Sequence, residues 1–381
     1  MAVYCINPNC QNRRNPDHVE ICKFCGTPLL IKNRYRLLSP FRDLNHLGHS
    51  EIFEVDDLGV AAVQGERIKA LKVLKTRNKT LVHLFRREAE SLRELNHPGI
   101  PQIAPGDGYF TVFLSYKIKL LPYSFTKTLH CLVMEKVKGI NLQKWVKENK
   151  IVSEEKVLDW LIQLLKIIDY LHHNNYIHRD IKPSNIILQP CGQLKLIDFG
   201  TVRKMTPDFF CDIGFDKEGT RIWSPGYTPD EVIQGKPLPQ SDFYSLGRTL
   251  VHLVTGEFPI DLPIESGQLN WRERAPQISQ KLASWIDYMM AEHALERPLN
   301  TSFILECLEG KTIEALPYAP VEIVQLPPLT IPQTITYPWL IRFNFALFCI
   351  LLVTSSFWWH RQQDNQWQKF QQENALTQSR N

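Results

Sequence analysis

The stretch from Tyr176 to Gly200 reads YIHRDIKPSNIILQPCGQLKLIDFG and concentrates charged and amide side chains in two short loops. Asp180, Lys182 and Asn185 stand near its start, and Asp198 stands near its end. Between the loops lie two short apolar runs separated by the turn-forming sequence QPCG, a pattern that predicts a small β-hairpin. Such a hairpin would hold both sets of polar side chains in fixed positions. The alternative, a chance acidic loop between buried strands, does not account for residues of these types in this order.

The same order of residues resembles the catalytic loop and the metal-binding loop of the eukaryotic-like protein kinases. The resemblance implies that Asp180 orients the substrate hydroxyl and that Lys182 steadies the γ-phosphate of ATP. It also implies that Asn185 and Asp198 bind Mg²⁺ or Mn²⁺, because hard divalent cations prefer oxygen ligands. The expected cofactors of this part of the chain are therefore ATP and a divalent metal.

A lysine upstream is expected to complete the nucleotide site. The sequence KALKVL resembles the kinase strand V-A-I-K, so Lys72 is expected to reach the α- and β-phosphates. A predicted amphipathic helix follows, in which apolar residues recur at helical spacing. Glu88 in this helix is the expected ion-pair partner of Lys72, with Glu90 as the alternative. Lys69 and Lys75, which flank Lys72, are expected to lie in solvent.

The glycine-rich loop that should precede this strand departs from the family pattern. Such loops need small residues because backbone N–H groups must approach the phosphates closely. Aligned by the strand that follows, the three glycine positions hold Asn45, Leu47 and Ser50, and only the intermediate Gly48 is a glycine. Gly48 is the candidate ATP contact that remains, and weaker ATP binding is expected.

The segment over residues 128–136 resembles the strand that enters the hinge between the two kinase lobes. This resemblance implies that Met134 lies behind the adenine pocket and that the backbone of Glu135 and Val137 bonds the adenine edge. Taken alone, the segment favours an ordinary core strand over a hinge strand. Its position between the Lys72 and Asp180 motifs favours the hinge.

The segment after Gly200 resembles a kinase activation segment. Ser224 stands where serine/threonine-specific kinases carry a small hydroxyl residue near the catalytic aspartate and lysine. Arg179 is the arginine that, in the family, pairs with a phosphorylated activation segment, and Thr220 is the predicted autophosphorylation site. Further along, the resemblance implies a brace between Glu231 and Arg297 at the base of this lobe.

A second resemblance to kinases concerns the helix that begins near SDFYSLG. There the resemblance implies that Asp242 braces the backbone of the catalytic loop. The helix before that loop is predicted to begin at Ser153, whose hydroxyl is suited to cap the N-terminus.

Four of the nine cysteines, namely Cys5, Cys10, Cys22 and Cys25, fall at the start of the sequence. Four thiolates around one Zn²⁺ form a common closed structural site, and so short a segment would need the metal to fold. A disulfide or a redox pair is the alternative. No apolar signal segment opens the sequence, so a reducing cytoplasm is expected, which favours metal. The remaining cysteines are expected to be buried apolar residues.

Bulk composition agrees with a globular protein, with 44% hydrophobic and 22% charged residues. The net charge of +4 is small for 381 residues and is not concentrated in a stripe. Nucleic acid is therefore not expected as the main partner.

The amino-acid composition changes after residue 310. Six prolines in residues 311–338 predict an extended, semi-rigid linker. The uncharged run FNFALFCILLVTSSFWW follows, and with the adjoining WLI and a snorkelling Arg342 it is long enough to span a bilayer. A membrane helix is favoured over a buried one because a proline-rich linker and a polar tail flank it. Since ATP chemistry is cytoplasmic, a single-pass membrane protein with a cytoplasmic kinase domain is expected.

Together these features predict an α+β, two-lobed protein kinase fold with an N-terminal zinc-ribbon-like module and a C-terminal transmembrane helix. The predicted divisions are the cysteine module over 1–30, the kinase domain over 33–310 (small lobe 33–137, large lobe 138–310), the linker over 311–338, the membrane helix over 339–359 and the tail over 360–381.

The whole resembles the four-cysteine serine/threonine kinases found in cyanobacteria, which implies transfer of the ATP γ-phosphate to Ser or Thr of protein substrates. The alternative is a pseudokinase, a membrane-tethered scaffold that binds partners without catalysis. The altered glycine loop supports this alternative, and the intact motif residues oppose it.

Overall fold

The computed structural model describes residues 2–44, 48–59, 67–117, 124–149, 152–205, 223–265 and 268–308. The strands are β1 (Ala2–Tyr4), β2 (Arg14–Pro16), β3 (Leu30–Ile31), β4 (Tyr35–Pro40), β5 (Ser50–Asp57), β6 (Ile68–Leu74), β7 (Gly108–Lys117), β8 (Ser124–Glu135), β9 (Ile140–Asn141), β10 (Tyr176–Ile177), β11 (Ile186–Leu188), β12 (Leu194–Leu196), β13 (Arg203–Lys204), β14 (Ile264–Glu265) and β15 (Gln268–Leu269). The helices are α1 (Lys79–Glu94), α2 (Leu142–Asn149), α3 (Glu154–His173), α4 (Asp230–Ile233), α5 (Pro239–Thr255), α6 (Gln280–Met289) and α7 (Thr301–Leu308).

The first half of the described chain is built on one antiparallel sheet in the order β3-β4-β5-β6-β8-β7. Strand β6 is central and buried along nearly its whole length, because apolar clusters cover both faces of the sheet. In the register of this sheet, Lys72 lies opposite Ile52 on β5 and Leu132 on β8. Lys72 therefore lies in the middle of the sheet, where a shift of its backbone would break the hydrogen bonds to both β5 and β8.

Helix α1 packs against this sheet. Asn78 caps its N-terminus, since the side-chain oxygen accepts hydrogen bonds from the backbone N–H groups of Thr80 and Leu81. The apolar residues of α1 are buried on one face, and Glu88 lies on that same face while Glu90 is exposed. Helical periodicity thus turns the carboxylate of Glu88 toward the sheet.

The second half is mainly helical. Ser153 caps α3 as predicted, accepting a hydrogen bond from the backbone of Lys156. Helices α3 and α5 form the centre of the larger apolar cluster. The predicted hairpin is present as β11 and β12, and β9 adds a third strand to it. The hairpin and the two polar loops that flank it follow α3 in the sequence, within this mainly helical half.

The cysteine segment packs against the sheet through β1, which contacts β4. Its strands β1 and β2 pair with each other, and Cys5, Cys10 and Cys22 form a small apolar cluster with Val3 and Leu29, while Cys25 is exposed. Ile6 reaches beyond that cluster and is buried among Leu37 and Phe53 of the sheet. Strand β3 then continues directly into the sheet by pairing with β4.

Two expectations about exposure are wrong. Lys69 is 7% exposed, and its Nζ donates hydrogen bonds to Asp57 and Asp107 at 2.6 and 2.5 Å. It is buried because these two carboxylates come from neighbouring segments of the sheet and compensate its charge. Cys191 is exposed, because it occupies the turn of the β11–β12 hairpin, whereas Cys131 and Cys307 are buried as expected.

Several predicted features lie outside the described residues, namely Asn45, Leu47, Thr220, the linker over 311–338 and the membrane helix over 339–359. Among the helices of the described ranges, none combines the length and the apolar character needed to cross a membrane.

Candidate active site

The centre of the site is a tight group of three side chains. Lys182 Nζ donates hydrogen bonds to Asp180 Oδ2 at 2.8 Å and to Ser224 Oγ at 2.7 Å. Ser224 Oγ in turn donates to Asp180 Oδ1 at 2.6 Å. Asn185 fixes the same carboxylate from the other side, since its Nδ2 donates to Asp180 Oδ2 at 2.9 Å. The structure thus brings together residues from the catalytic loop and from the segment expected to recognise the substrate.

Asp242 on α5 supports the backbone of the catalytic loop through hydrogen bonds. This carboxylate is fully buried and accepts hydrogen bonds from the backbone N–H groups of His178 and Arg179 at 3.0 and 2.8 Å. Burial alone would raise the pKa of Asp242, but the hydrogen bond from His172 and the neighbouring charges hold that pKa below its ordinary value. The predicted brace is present, and it supports a backbone in which Arg179 adopts a φ of 69°. A positive φ at a non-glycine residue is strained and is sustained only by such surroundings.

Arg179 itself contacts the start of the activation segment. Its Nε donates to the backbone oxygen of Thr201 at 2.5 Å. The predicted partner, phosphorylated Thr220, lies outside the described residues. The predicted brace at the lobe's base is also present, because Arg297 Nη1 donates to Glu231 Oε1 at 2.6 Å and the arginine side chain is fully buried.

The second group of polar residues joins the two halves of the chain. Lys72 Nζ donates to both oxygens of Glu88 at 2.7 and 2.8 Å and to Asp198 Oδ1 at 3.0 Å. Burial alone would lower the pKa of Lys72, but the carboxylates of Asp198 and Glu88 outweigh it and raise that pKa above its ordinary value. The charge of Lys72 in turn lowers the pKa of Asp198 to about 2, against the opposing effect of burial. At neutral pH the lysine and Asp198 are therefore both ionised.

Asp198 and Asn185 can hold a divalent cation. The side chain of Asp198 is 49% exposed, whereas that of Glu88 is 2% exposed, so only the former carboxylate is open to a metal. Asn185 uses its Nδ2 to hold Asp180, and its Oδ1 accepts a long hydrogen bond from Ser184 Oγ at 3.5 Å. Carboxylate and amide oxygens suit Mg²⁺ or Mn²⁺. Asp198 also has a φ of 68°, in the left-handed region of backbone conformation.

The expected hinge follows the end of β8. Met134 is half-buried, and Glu135 is tied in place because its N–H donates to Gln102 O at 2.8 Å while Lys195 Nζ donates to its carboxylate at 2.5 Å. Val137 lies just beyond the strand end. These contacts fix the backbone that the resemblance assigns to adenine.

The glycine loop is described only in part. Strand β4 ends at Pro40, and β5 begins at Ser50, which lies opposite Leu74. Ser50 is therefore the first residue of a regular strand, and Gly48 precedes it in the loop. Asn45 and Leu47 lie outside the described residues.

The cysteine site is geometrically suited to zinc. The four Sγ atoms of Cys5, Cys10, Cys22 and Cys25 lie within 4.8 Å of one another. The Sγ–Sγ distance is 3.5 Å between Cys5 and Cys25 and 3.7 Å between Cys10 and Cys22. A disulfide would require about 2.05 Å. Zn–S bonds of about 2.3 Å in a tetrahedron separate sulfur atoms by about 3.8 Å. Burial raises the pKa of Cys10 to about 12, so a thiolate at that position needs a cation beside it.

Sequence reasoning missed two groups of residues. Arg13 lies among the cysteines and donates to Glu51 Oε2 on β5 at 2.7 Å, and both side chains are buried. Phe258 and Ile260 lie beside Ser224 and Lys182 around a common depression. No motif marks these residues, and their partners are far away in the sequence.

Known proteins resemble this chain over most of its length. The family profile described as Protein kinase domain matches residues 47–310. Serine/threonine-protein kinase B of Synechocystis is 32% identical over 324 residues, covering 82% of this chain and 52% of that relative. Serine/threonine-protein kinase PknA of Nostoc is 34% identical over 299 residues, covering 76% of this chain and 50% of that relative. Serine/threonine-protein kinase C of Synechocystis is 33% identical over 293 residues, covering 74% of this chain and 51% of that relative.

The chain spans about half the length of these curated relatives. The matched region nevertheless contains the catalytic loop, the Lys72–Glu88 pair and the Glu231–Arg297 brace. On this evidence the chain belongs to the protein kinase family, among the eukaryotic-like bacterial serine/threonine kinases.

Proposed function

We propose that this chain is a serine/threonine protein kinase that transfers the γ-phosphoryl group of ATP to a hydroxyl of a protein substrate. The observation that carries the proposal is the contact group of Asp180, Lys182 and Ser224, all joined by bonds of 2.6–2.8 Å. A carboxylate, a cation and a small hydroxyl side chain are placed where a substrate hydroxyl can meet a phosphoryl group. The small side chain of Ser224 favours a serine or threonine acceptor over tyrosine.

The residues support a direct transfer. The substrate hydroxyl oxygen attacks the γ-phosphorus, its proton passes to the Asp180 carboxylate, and the bond from phosphorus to the β,γ-bridging oxygen breaks to release ADP. Lys182 stabilises the charge of the moving phosphoryl group, and Lys72 holds the α- and β-phosphates while Glu88 keeps it in place. A divalent cation on Asp198 and Asn185 would neutralise phosphate oxygens. The backbone of Glu135 and Val137 would hold the adenine, and Gly48 would cover the phosphates.

The test is transfer of labelled γ-phosphate to a general protein substrate by the purified full chain. Asp180→Asn removes the proton acceptor while keeping the shape of the side chain, so it defines the background. Loss of a proton acceptor and its contacts is expected to reduce turnover by about 10²-fold or more. A wild-type rate no higher than this background would overturn the proposal.

A pseudokinase scaffold is the rival function. Its support is confined to the altered glycine loop, whereas Lys72, Glu88, Asp180, Asn185 and Asp198 are assembled with short contacts. These contacts argue against the rival, because a scaffold does not require them.

We also propose that the cysteine module, residues 1–30, binds one structural Zn²⁺ per chain. The sulfur spacing supports a metal over a disulfide. Metal analysis of the purified chain should find one zinc ion, and Cys22→Ser combined with Cys25→Ser should remove it. Disulfides among these cysteines in protein isolated from a reducing cytoplasm would overturn the proposal.

Membrane anchoring is a further proposal, supported by the sequence of residues 339–359. In this arrangement the kinase domain over 33–310 faces the cytoplasm, the linker over 311–338 connects it to a single-pass helix, and residues 360–381 lie on the far side. Removal of all residues after Pro338 should move the protein from the membrane fraction to the soluble fraction. A full-length chain that is already soluble without detergent would contradict it.

A further inference from the structure

The cysteine module lies behind the strand that follows the glycine loop. On β5 the side chains of Glu51 and Phe53 are buried on one face of the sheet, whereas Ile52 belongs to the other face. Ile52 lies opposite Lys72, and residues opposite each other in a sheet share a face, so the face of Ile52 carries the nucleotide site. Arg13 of the module contacts Glu51 and Phe53. The module therefore supports the sheet from the side away from the nucleotide.

Arg13 anchors the C-terminal end of the glycine loop. Its Nη1 donates to Glu51 Oε2 at 2.7 Å, while its Nε donates to the backbone oxygen of Cys5 at 2.8 Å. These two bonds join the backbone of the module to β5 through one side chain that is 7% exposed. Glu51 directly follows Ser50, the last of the three aligned glycine positions. A shift of the loop at this end would therefore break a buried ion pair, which is costly.

The N-terminal end of the loop packs against an apolar cluster to which the module contributes. Ile6 of the module is 1% exposed and belongs to the cluster that contains Leu37 of β4 and Phe53 of β5. Leu44, which follows β4, is half-buried and packs against this same cluster. The module and both described ends of the loop thus belong to one packed unit.

Fixed ends matter because this loop lacks the usual glycines. A loop that covers phosphates loses conformational freedom when the nucleotide binds, and this loss weakens binding unless the loop is ordered beforehand. We propose that Arg13 is a positioning residue for ATP, because its contacts with Glu51 and with the module backbone fix the loop that covers the phosphates. Leu44 supports the other end of the same loop. This role rests on the proposed kinase function, in which ATP binds beneath the loop.

The first test is the split between KM for ATP and kcat, measured with the purified full chain and a general protein substrate. Arg13→Met removes the hydrogen bonds and should raise KM for ATP by about 10-fold, because ATP must then order the loop. kcat should stay nearly unchanged, since saturating ATP restores the loop and the catalytic side chains lie on other elements. Arg14→Met, at the exposed neighbouring position, should leave both values unchanged. Equal KM values for the two variants, or a loss confined to kcat, would overturn the proposal.

A second substitution separates loss of positioning from loss of stability. Glu51→Leu added to Arg13→Met removes the buried carboxylate, so the melting temperature should partly recover. It does not restore the hydrogen bonds that join β5 to the module, so KM for ATP should stay raised. Recovery of both values together would show that Arg13 acts through stability alone, and it would refute the positioning role.

Leu44→Ala tests the other end of the loop, and it supplies a variant if Arg13→Met does not fold. Leu44 is half-buried, so its truncation should leave the fold intact and raise KM for ATP by about 3-fold or more. Leu58→Ala is the matched control, because Leu58 follows the opposite end of β5 and is 46% exposed. The same KM for these two variants would contradict the role of the packed loop ends.

Binding measurements separate this role from the kinase function. In the Asp180→Asn chain, titration with a fluorescent ATP analogue and Mg²⁺ should still give weaker binding when Arg13→Met is added. No transfer combined with this weaker binding would remove the proposed function alone. Transfer combined with an unchanged affinity for the analogue would remove the positioning role alone.

Discussion

Arg13 is predicted to hold the cysteine module and the kinase sheet together. Its guanidinium donates to Glu51 Oε2 at 2.7 Å and to the backbone oxygens of Cys5 and Ile6 at 2.8 and 3.4 Å, and it lies 5.1 Å from the ring centroid of Phe53. Glu51 directly follows Ser50, the last position of the altered glycine loop. Arg13→Met removes the charge and the hydrogen bonds but keeps an unbranched side chain over Phe53.

The expected cost follows from burial. The side chains of Arg13 and Glu51 are 7% and 8% exposed. Removal of one partner of a buried ion pair costs about 3–5 kcal/mol, because the remaining charge is left without compensation. Lys75 Nζ lies 3.5 Å from the other oxygen of Glu51 and compensates part of that charge. We therefore expect Arg13→Met to lower the free energy of unfolding by about 3 kcal/mol, the lower end of that range.

Urea unfolding of the full chain measures this loss. Arg14→Met is the matched control, because Arg14 directly follows Arg13, begins β2 and is exposed. It should change the unfolding free energy by less than about 0.5 kcal/mol. Glu51→Leu added to Arg13→Met should restore part of the loss, because the buried carboxylate that Arg13 compensated is then absent. If Arg13→Met costs no more than Arg14→Met, the idea that this pair couples the module to the sheet is wrong.

Three other perturbations have defined outcomes. Leu47→Gly together with Ser50→Gly should tighten the binding of ATP, measured by titration, because small residues let the loop backbone approach the phosphates; unchanged affinity would contradict the alignment of the loop. Thr220→Ala should lower the activity of protein that has been allowed to autophosphorylate, and phosphosite mapping that finds Thr220 unmodified in active protein would contradict its role. Burial opposes ionisation of Asp57, but hydrogen bonds from Arg34 and Lys69 lower its pKa to about 2. Since this pKa lies below the unfolded value of 3.8, Asp57 contributes stability above pH 4 that is lost as the pH falls to 2. When the pH is lowered from 5 to 2, the wild-type chain should therefore lose roughly 2 kcal/mol more unfolding free energy than the Asp57→Asn chain.

Contacts that depend on local pattern could be predicted from the sequence. Apolar residues at helical spacing predict α1, and the alignment with the kinase motif favours Glu88 over Glu90 as the partner of Lys72. The hairpin between the two polar loops follows from short apolar runs around a turn. Ser224 and Asp242 were assigned through the resemblance, and the structure places both in contact with the catalytic loop.

Contacts that depend on tertiary register could not be predicted. Lys69 is a charged residue in a largely apolar strand, and both faces of this central sheet are covered. Its burial needs Asp57 and Asp107, which come from other parts of the sheet. The Arg13–Glu51 pair likewise requires that the cysteine module pack on β5, and no local pattern indicates that. Ile260 lies close to the segment around Ser224 because Gly226 carries no Cβ that would collide with the Ile260 backbone.

The charges in the cleft explain which contacts nucleotide binding must change. Lys72 and Lys182 are balanced by three carboxylates, those of Glu88, Asp198 and Asp180, so the site carries a surplus of negative charge before any phosphate enters. Glu88 is buried and can exchange its partner only at a large cost, whereas Asp198 is half-exposed. The 3.0 Å contact between Lys72 and Asp198 is therefore the one that can open. A divalent cation held by Asp198 would offset the surplus charge and would leave Lys72 available to phosphate oxygens, with its bonds to Glu88 in place. The metal and the nucleotide are consequently expected to bind together more tightly than either binds alone.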